Sequence, residues 1–132
     1  MDLSNVIRVV AAVKIDPADS GRFENMVKAL KNVVKGEGPS KVLAYDCYRK
    51  NENSCEYIIT EDYVDEASFL GHLHLIAPVS ARHNVLMEVL QFYLCGSISP
   101  DTLQLFGTAY KERFINFELR IKPKDEDRQN GK

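Results

Sequence analysis

Between Val6 and Ile15 every second residue is apolar: Ile7, Val9, Ala11, Val13 and Ile15. Alternate side chains of an extended chain share a face, so this set makes one fully buried side, with Arg8 and Lys14 on the other. A strand of this kind needs a partner layer, and the following segment supplies it. Asp16-Pro17 suits a helix start, with aspartate capping free amides and proline at the first helical position. Phe23, Met26, Val27, Leu30, Val33 and Val34 then recur at spacings of three and four. They form a single apolar stripe, and Gly36 is a natural stop. A strand with one buried side followed by a helix with one apolar stripe predicts a layered α+β fold.

The rest of the chain continues that pattern. Residues 37–40 (Glu-Gly-Pro-Ser) read as a loop. Val42 to Arg49 and Cys55 to Val64 read as strands around the polar turn Lys50-Asn51-Glu52-Asn53-Ser54. On the second of these strands Tyr57, Ile59, Glu61 and Tyr63 share a face. Asp65 or Glu66 opens a helix carrying Ala67, Phe69, Leu70 and Leu73, which Pro78 is expected to interrupt. A second helical stretch is expected from about Val79 to Leu90, and a strand from Phe92 to Ile98. The order is strand, helix, strand, strand, broken helix, strand. It predicts a ferredoxin-like split βαβ arrangement, a four-stranded antiparallel sheet with helices on one face.

Beyond Ser99 there is an extension. Pro100-Asp101 starts a short helix through Leu103, Leu105, Phe106 and Tyr110, and residues 114–121 alternate as a fifth strand. That strand extends either the sheet of its own subunit or that of a partner. Residues 122–132 carry almost no apolar side chain and are expected to be a disordered tail. The sheet's second face also needs cover. Val10, Ala12, Val42 and Ala44 are assigned to it and leave it partly apolar, which predicts a homodimer with the two sheets face to face.

Composition narrows the function classes. At 132 residues the chain fits a single domain, spanning residues 1–121. Its formal net charge of -2 offers no general attraction to phosphate backbones or anionic membranes, so neither nucleic acid nor membrane is an expected partner. No apolar run approaches the ~20 residues that cross a bilayer, and the first residues lack the pattern of a signal peptide. The odd set of Cys47, Cys55 and Cys95 argues against a secreted disulfide framework and for a reduced, cytoplasmic setting. A Cys47–Cys55 bridge across the hairpin is the alternative.

The run from Glu61 to His72 (Glu-Asp-Tyr-Val-Asp-Glu-Ala-Ser-Phe-Leu-Gly-His) carries an aromatic strand end through an acidic turn into a helix that delivers a histidine. With the element order, this run resembles the antibiotic-biosynthesis-monooxygenase family of dimeric α/β-barrel proteins. Glu61, Tyr63, Asp65, Ala67 and His72 stand where members show a Glu, an aromatic, an acidic or polar turn, an Ala at the helix start and a His. Glu37-Gly38 and Tyr45-Asp46 look like the family's Glu-Pro-Gly…Tyr segment. The likeness covers roughly residues 5–98, leaving 99–121 as the extension. The chain has no Trp, which sets it apart from haem-degrading relatives that use one.

The resemblance implies a cofactor-independent monooxygenase that oxidises a small aromatic or quinol with dioxygen. Such chemistry needs a base to make a phenolate or carbanion, and a histidine near pKa 6.5 suits it. On this reading His72 is base or proton shuttle, Tyr63 orients a ring oxygen, Glu61 orients His72 or Tyr63, and Tyr45 and Tyr57 bind substrate. The plainer alternative has His72 bonded to a backbone carbonyl, Glu61 held by backbone amides or Arg82, and the tyrosines serving as core. A non-catalytic dimer that binds a small ligand or protein, and an isomerase or lyase using the same base, are the other function classes. His72, His74 and His83 do not make a metal site: adjacent-but-one histidines on a helix point about 200° apart. No cofactor is expected, and no sequence neighbour activates Cys47.

Overall fold

A computed structural model describes residues 3–121. The first strand, β1 (Ile7–Ile15), buries the alternating set as its pattern requires: Ile7, Val9, Val13 and Ile15 are each 1% exposed. Asp16 does cap, accepting from the Ala18 amide, but over a short 3-10 turn, Pro17–Asp19, and the long helix α1 follows as Ser20–Glu37. Phe23, Met26 and Leu30 of α1 are buried over the sheet. β2 (Val42–Arg49) and β3 (Glu56–Tyr63) form the hairpin, α2 spans Glu66–His83, and β4 spans Met87–Cys95. The extension adds α3 (Pro100–Tyr110), a 3-10 turn and β5 (Phe114–Phe117).

The sheet has five strands in the order β2-β3-β1-β4-β5. Its first four are antiparallel neighbours, the ferredoxin-like core, and β5 lies parallel to β4. A parallel neighbour needs a crossover, which α3 provides. The fifth strand therefore joins its own subunit's sheet and makes it mixed.

Several sequence expectations need correction: α1 runs past Gly36 to Glu37, and the fourth strand ends at Cys95 rather than Ile98. Pro78 lies inside α2 and does not break it. Both Pro78 and His74, whose carbonyl loses its usual amide partner, are on the exposed side of the helix, where that oxygen is open to solvent. Residues 87–90 are strand rather than helix. The register slips between Ala12 and Val13, leaving Leu90 as an extra residue, and this bulge hides the period-two pattern. β5 ends at Phe117 instead of running to Ile121. Val42 faces the core at 4% exposure, because a second bulge separates it from Ala44 on the outer face. Cys47, Cys55 and Cys95 are free thiols, so the hairpin carries no disulfide. The expected tail, residues 122–132, lies outside the described residues.

The extension is part of the core rather than an appendage. Phe106 of α3 is 6% exposed and packs between Phe69 of α2 and Phe92 of β4, at ring distances of 5.6 and 5.1 Å. Tyr110 stacks on Phe92 at 5.0 Å. The acidic turn ties both ends of this unit. Asp65 caps α2 through the Ser68 amide, while Glu66 accepts from the Ser99 amide and hydroxyl and from the Thr102 hydroxyl at the start of α3.

Candidate functional site

His72 sits in the second turn of α2 on its inward side and is fully enclosed, at 0% exposure. Its Nδ1 lies 2.7 Å from Oε2 of Glu37, the last residue of α1. Its Nε2 is buried with no hydrogen-bond partner, and the nearest charged atom is Glu61 Oε1 at 3.9 Å. The Tyr63 hydroxyl donates to that same Glu61 oxygen. The Tyr63 and Tyr45 rings flank the imidazole at 5.3 and 5.7 Å. One imidazole thus stands between two largely buried carboxylates, whose side chains are 4% (Glu37) and 14% (Glu61) exposed.

Local structure explains the placements. Glu61 and Tyr63 are two apart on β3, so both point toward the helices. Tyr45 pairs directly with Glu61 across the β2–β3 ladder, on the same face. Glu37 is fixed by Gly38, which ends α1 at φ 85°, a conformation that favours glycine, with its amide on the Val34 carbonyl. A carboxylate in a last helical turn faces the negative end of the helix dipole. Here that unfavourable placement is offset by the His72 ring.

Burial sets the electrostatics. Desolvation raises the Glu61 pKa above the usual carboxylate value, against the opposing pull of the Tyr63 hydrogen bond and the His72 ring, while Glu37 adds to the rise. Burial, reinforced by the charge of Glu61, also drives the Tyr63 and Tyr45 hydroxyls well above the ordinary tyrosine range, so both remain protonated donors. Burial pushes the Cys47 thiol up to about 11, which keeps it a poor nucleophile at neutral pH.

The structure thus brings His72, Glu61, Tyr63 and Tyr45 together and sets Tyr57 apart. Tyr57 shares their sheet face but lies at the other end of β3, packed on Phe23 at 4.5 Å with its hydroxyl on Glu24 at 3.1 Å. His72 bonds a carboxylate rather than a backbone carbonyl. That backbone arrangement belongs to His83, whose Nδ1 is 2.9 Å from the Val79 carbonyl. His74 points away, lining a cleft of about 500 Å³ on the helix side together with Glu37, Lys41, Asp65, Ser68 and Gly71. Among the described residues no His, Cys, Asp or Glu side chains group as a metal site. The partner that sequence reasoning missed is Glu37, which it placed in a loop without a role.

The profile of the antibiotic biosynthesis monooxygenase family matches residues 6–76, more than half of the chain. The chain belongs to this family. No curated protein matches the chain. Solved structures with the same fold include MupZ from Pseudomonas fluorescens, with TM-score 0.69 and 17% identity, covering 92% of this chain and 97% of that one. A protein from Caulobacter crescentus, provisionally named an antibiotic biosynthesis monooxygenase, has TM-score 0.50 and 23% identity, covering 67% of this chain and 90% of that one. One from Bacteroides thetaiotaomicron with the same provisional name has TM-score 0.54 and 21% identity, covering 67% and 88%. The MupZ coverage cannot be reached without residues beyond Ser99, so the extension has a structural counterpart there. The family match stops at residue 76 and therefore contains Glu37, Tyr45, Glu61, Tyr63 and His72.

Proposed function

We propose that this protein is a cofactor-independent monooxygenase acting on a small quinol-type aromatic, with His72 as the base. The observation that carries the reading is the Nε2 atom of His72, buried, unpartnered and turned toward Glu61 and Tyr63. Such an atom costs stability, and a base awaiting a substrate hydroxyl accounts for it. Nε2 takes a phenolic proton, and the resulting phenolate is electron-rich enough to reduce dioxygen. One oxygen atom replaces a ring hydrogen as the O–O bond breaks, giving a hydroxyquinone, and the other leaves as water. The substrate supplies all four electrons, and the protons it released complete the water. Tyr45, held protonated, offers a donor, and the Tyr45 and Tyr63 rings offer faces to a planar substrate, while the Tyr63 hydroxyl stays on Glu61.

Because His72 is fully enclosed, access requires the shell to open. The cleft bordered by Glu37, Ala67 and Gly71, at about 500 Å³, is of small-molecule size and adjoins the buried imidazole through Glu37. The outer sheet face supports a homodimer as the working form. Val10, Ala12, Tyr48, Ile58, Tyr93 and Ile115 share that face around a bidentate Arg8–Asp62 pair at 2.7 and 2.9 Å.

The enclosure of His72 favours one rival reading, a non-catalytic dimer that binds a ligand or protein elsewhere on its surface. Oxygen uptake with a panel of hydroquinones separates the two. The proposal expects uptake that is lost in His72→Ala while the circular dichroism spectrum is kept. Uptake unchanged by His72→Ala, or absent for every quinol, would overturn it.

A further inference from the structure

We infer that Glu37 is the positioning residue that makes His72 a base, by holding the imidazole proton on Nδ1 and so leaving the Nε2 lone pair facing Glu61 and Tyr63. The tautomer of a neutral histidine is set by whichever nitrogen has an acceptor. A carboxylate can only accept, and Glu37 Oε2 lies 2.7 Å from Nδ1, within strong hydrogen-bond range. At the other nitrogen the nearest carboxylate oxygen is 3.9 Å away, outside hydrogen-bond distance, and that oxygen already accepts from Tyr63. The two sides of the ring are therefore unequal, and the inequality comes from Glu37.

A second feature points the same way. Glu37 lies at the dipole-disfavoured end of α1, with a side chain only 4% exposed, yet it also borders the helix-side cleft with Lys41, Asp65 and His74. It joins the enclosed ring to a solvent-facing cleft. When Nε2 takes a proton from substrate, Glu37 stabilises the imidazolium through its Nδ1–H bond, and the Nε2 proton then returns to the reduced oxygen to complete the water, resetting the base. The turnover part of this inference rests on the function proposed above, but the tautomer does not.

The test is nitrogen NMR on protein carrying labelled histidine, at a pH where His72 is neutral. Assignment by His72→Gln identifies its two ring signals. The expected wild-type result is a protonated Nδ1 and an unprotonated Nε2. Glu37→Leu leaves Nδ1 with no acceptor, and the protonated nitrogen should switch to Nε2, whose nearest carboxylate is Glu61. Glu37→Asp should keep the wild-type tautomer. A proton on Nε2 in the wild type, or an unchanged tautomer in Glu37→Leu, would overturn the inference. The wild-type spectrum alone decides the first point if Glu37→Leu fails to fold. In the oxygen-uptake assay Glu37→Leu should lower kcat on the order of 100-fold with KM little changed, and Glu37→Asp should restore most of it. A correct tautomer with no uptake from any quinol would spare Glu37 and sink the oxygenase reading instead.

Discussion

At the residue scale the buried carboxylate Glu61 makes the sharpest demand. Burial raises its pKa in the folded chain above the 4.5 of an unhindered glutamate. The folded state therefore holds a proton that the unfolded state releases. This contribution to stability is complete below about pH 4.5 and is lost as pH rises through the higher folded value. Urea unfolding across that window should show the wild type losing stability relative to Glu61→Gln, whose amide does not titrate. Parallel pH profiles would show that Glu61 is solvated in solution. Tyr63→Phe removes the donor that satisfies Glu61 and should cost roughly 1–3 kcal/mol. In the Glu61→Gln background that loss should shrink, which a double-mutant cycle reads directly.

At the element scale the extension from Pro100 to Phe117 is bound to the core by rings rather than by backbone pairing alone. Phe106→Ala removes a buried ring packed against Phe69 and Phe92, and should cost about 3–5 kcal/mol in a denaturant titration. A cost below about 1 kcal/mol would mean α3 is only loosely docked, since truncations at exposed sites fall in that range. The same scale shows what sequence can carry. The alternation of β1 and the stripe of α1 were legible because each pattern reports which way a side chain faces relative to one layer. Leu90 was misread because a bulge inserts a residue and breaks the period. Pro78 was misread because the rule against helical proline lapses where water can take the freed carbonyl. Tyr57 and Tyr63 read alike because alternation gives the face and not the distance. Six residues along a strand separate them by about 20 Å. Glu37 meets His72 only through the packing of α1 on α2, thirty-five positions apart in sequence, and no local pattern encodes that meeting.

At the scale of the whole molecule, the helices cover one face of the sheet and leave the other with exposed apolar side chains. Ile58 at 39% and Ile115 at 41% exposure are examples. Light scattering during size exclusion should give twice the chain mass, and Ile58→Glu should return the protein to monomers. A wild-type monomer at micromolar concentration would remove the dimer from the account. Among the described residues no helix is long and apolar enough to cross a membrane. The family match accounts for the fold, and the proposed function assigns the chemistry to the enclosed cluster of Glu37, His72, Glu61, Tyr63 and Tyr45. The most direct test of that central claim is mass spectrometry of the hydroxyquinone formed from a hydroquinone under isotopically labelled dioxygen. The account predicts one labelled oxygen atom in the product of the wild type and none above background with His72→Gln. Label incorporated equally by both proteins, or a product formed without label, would contradict it.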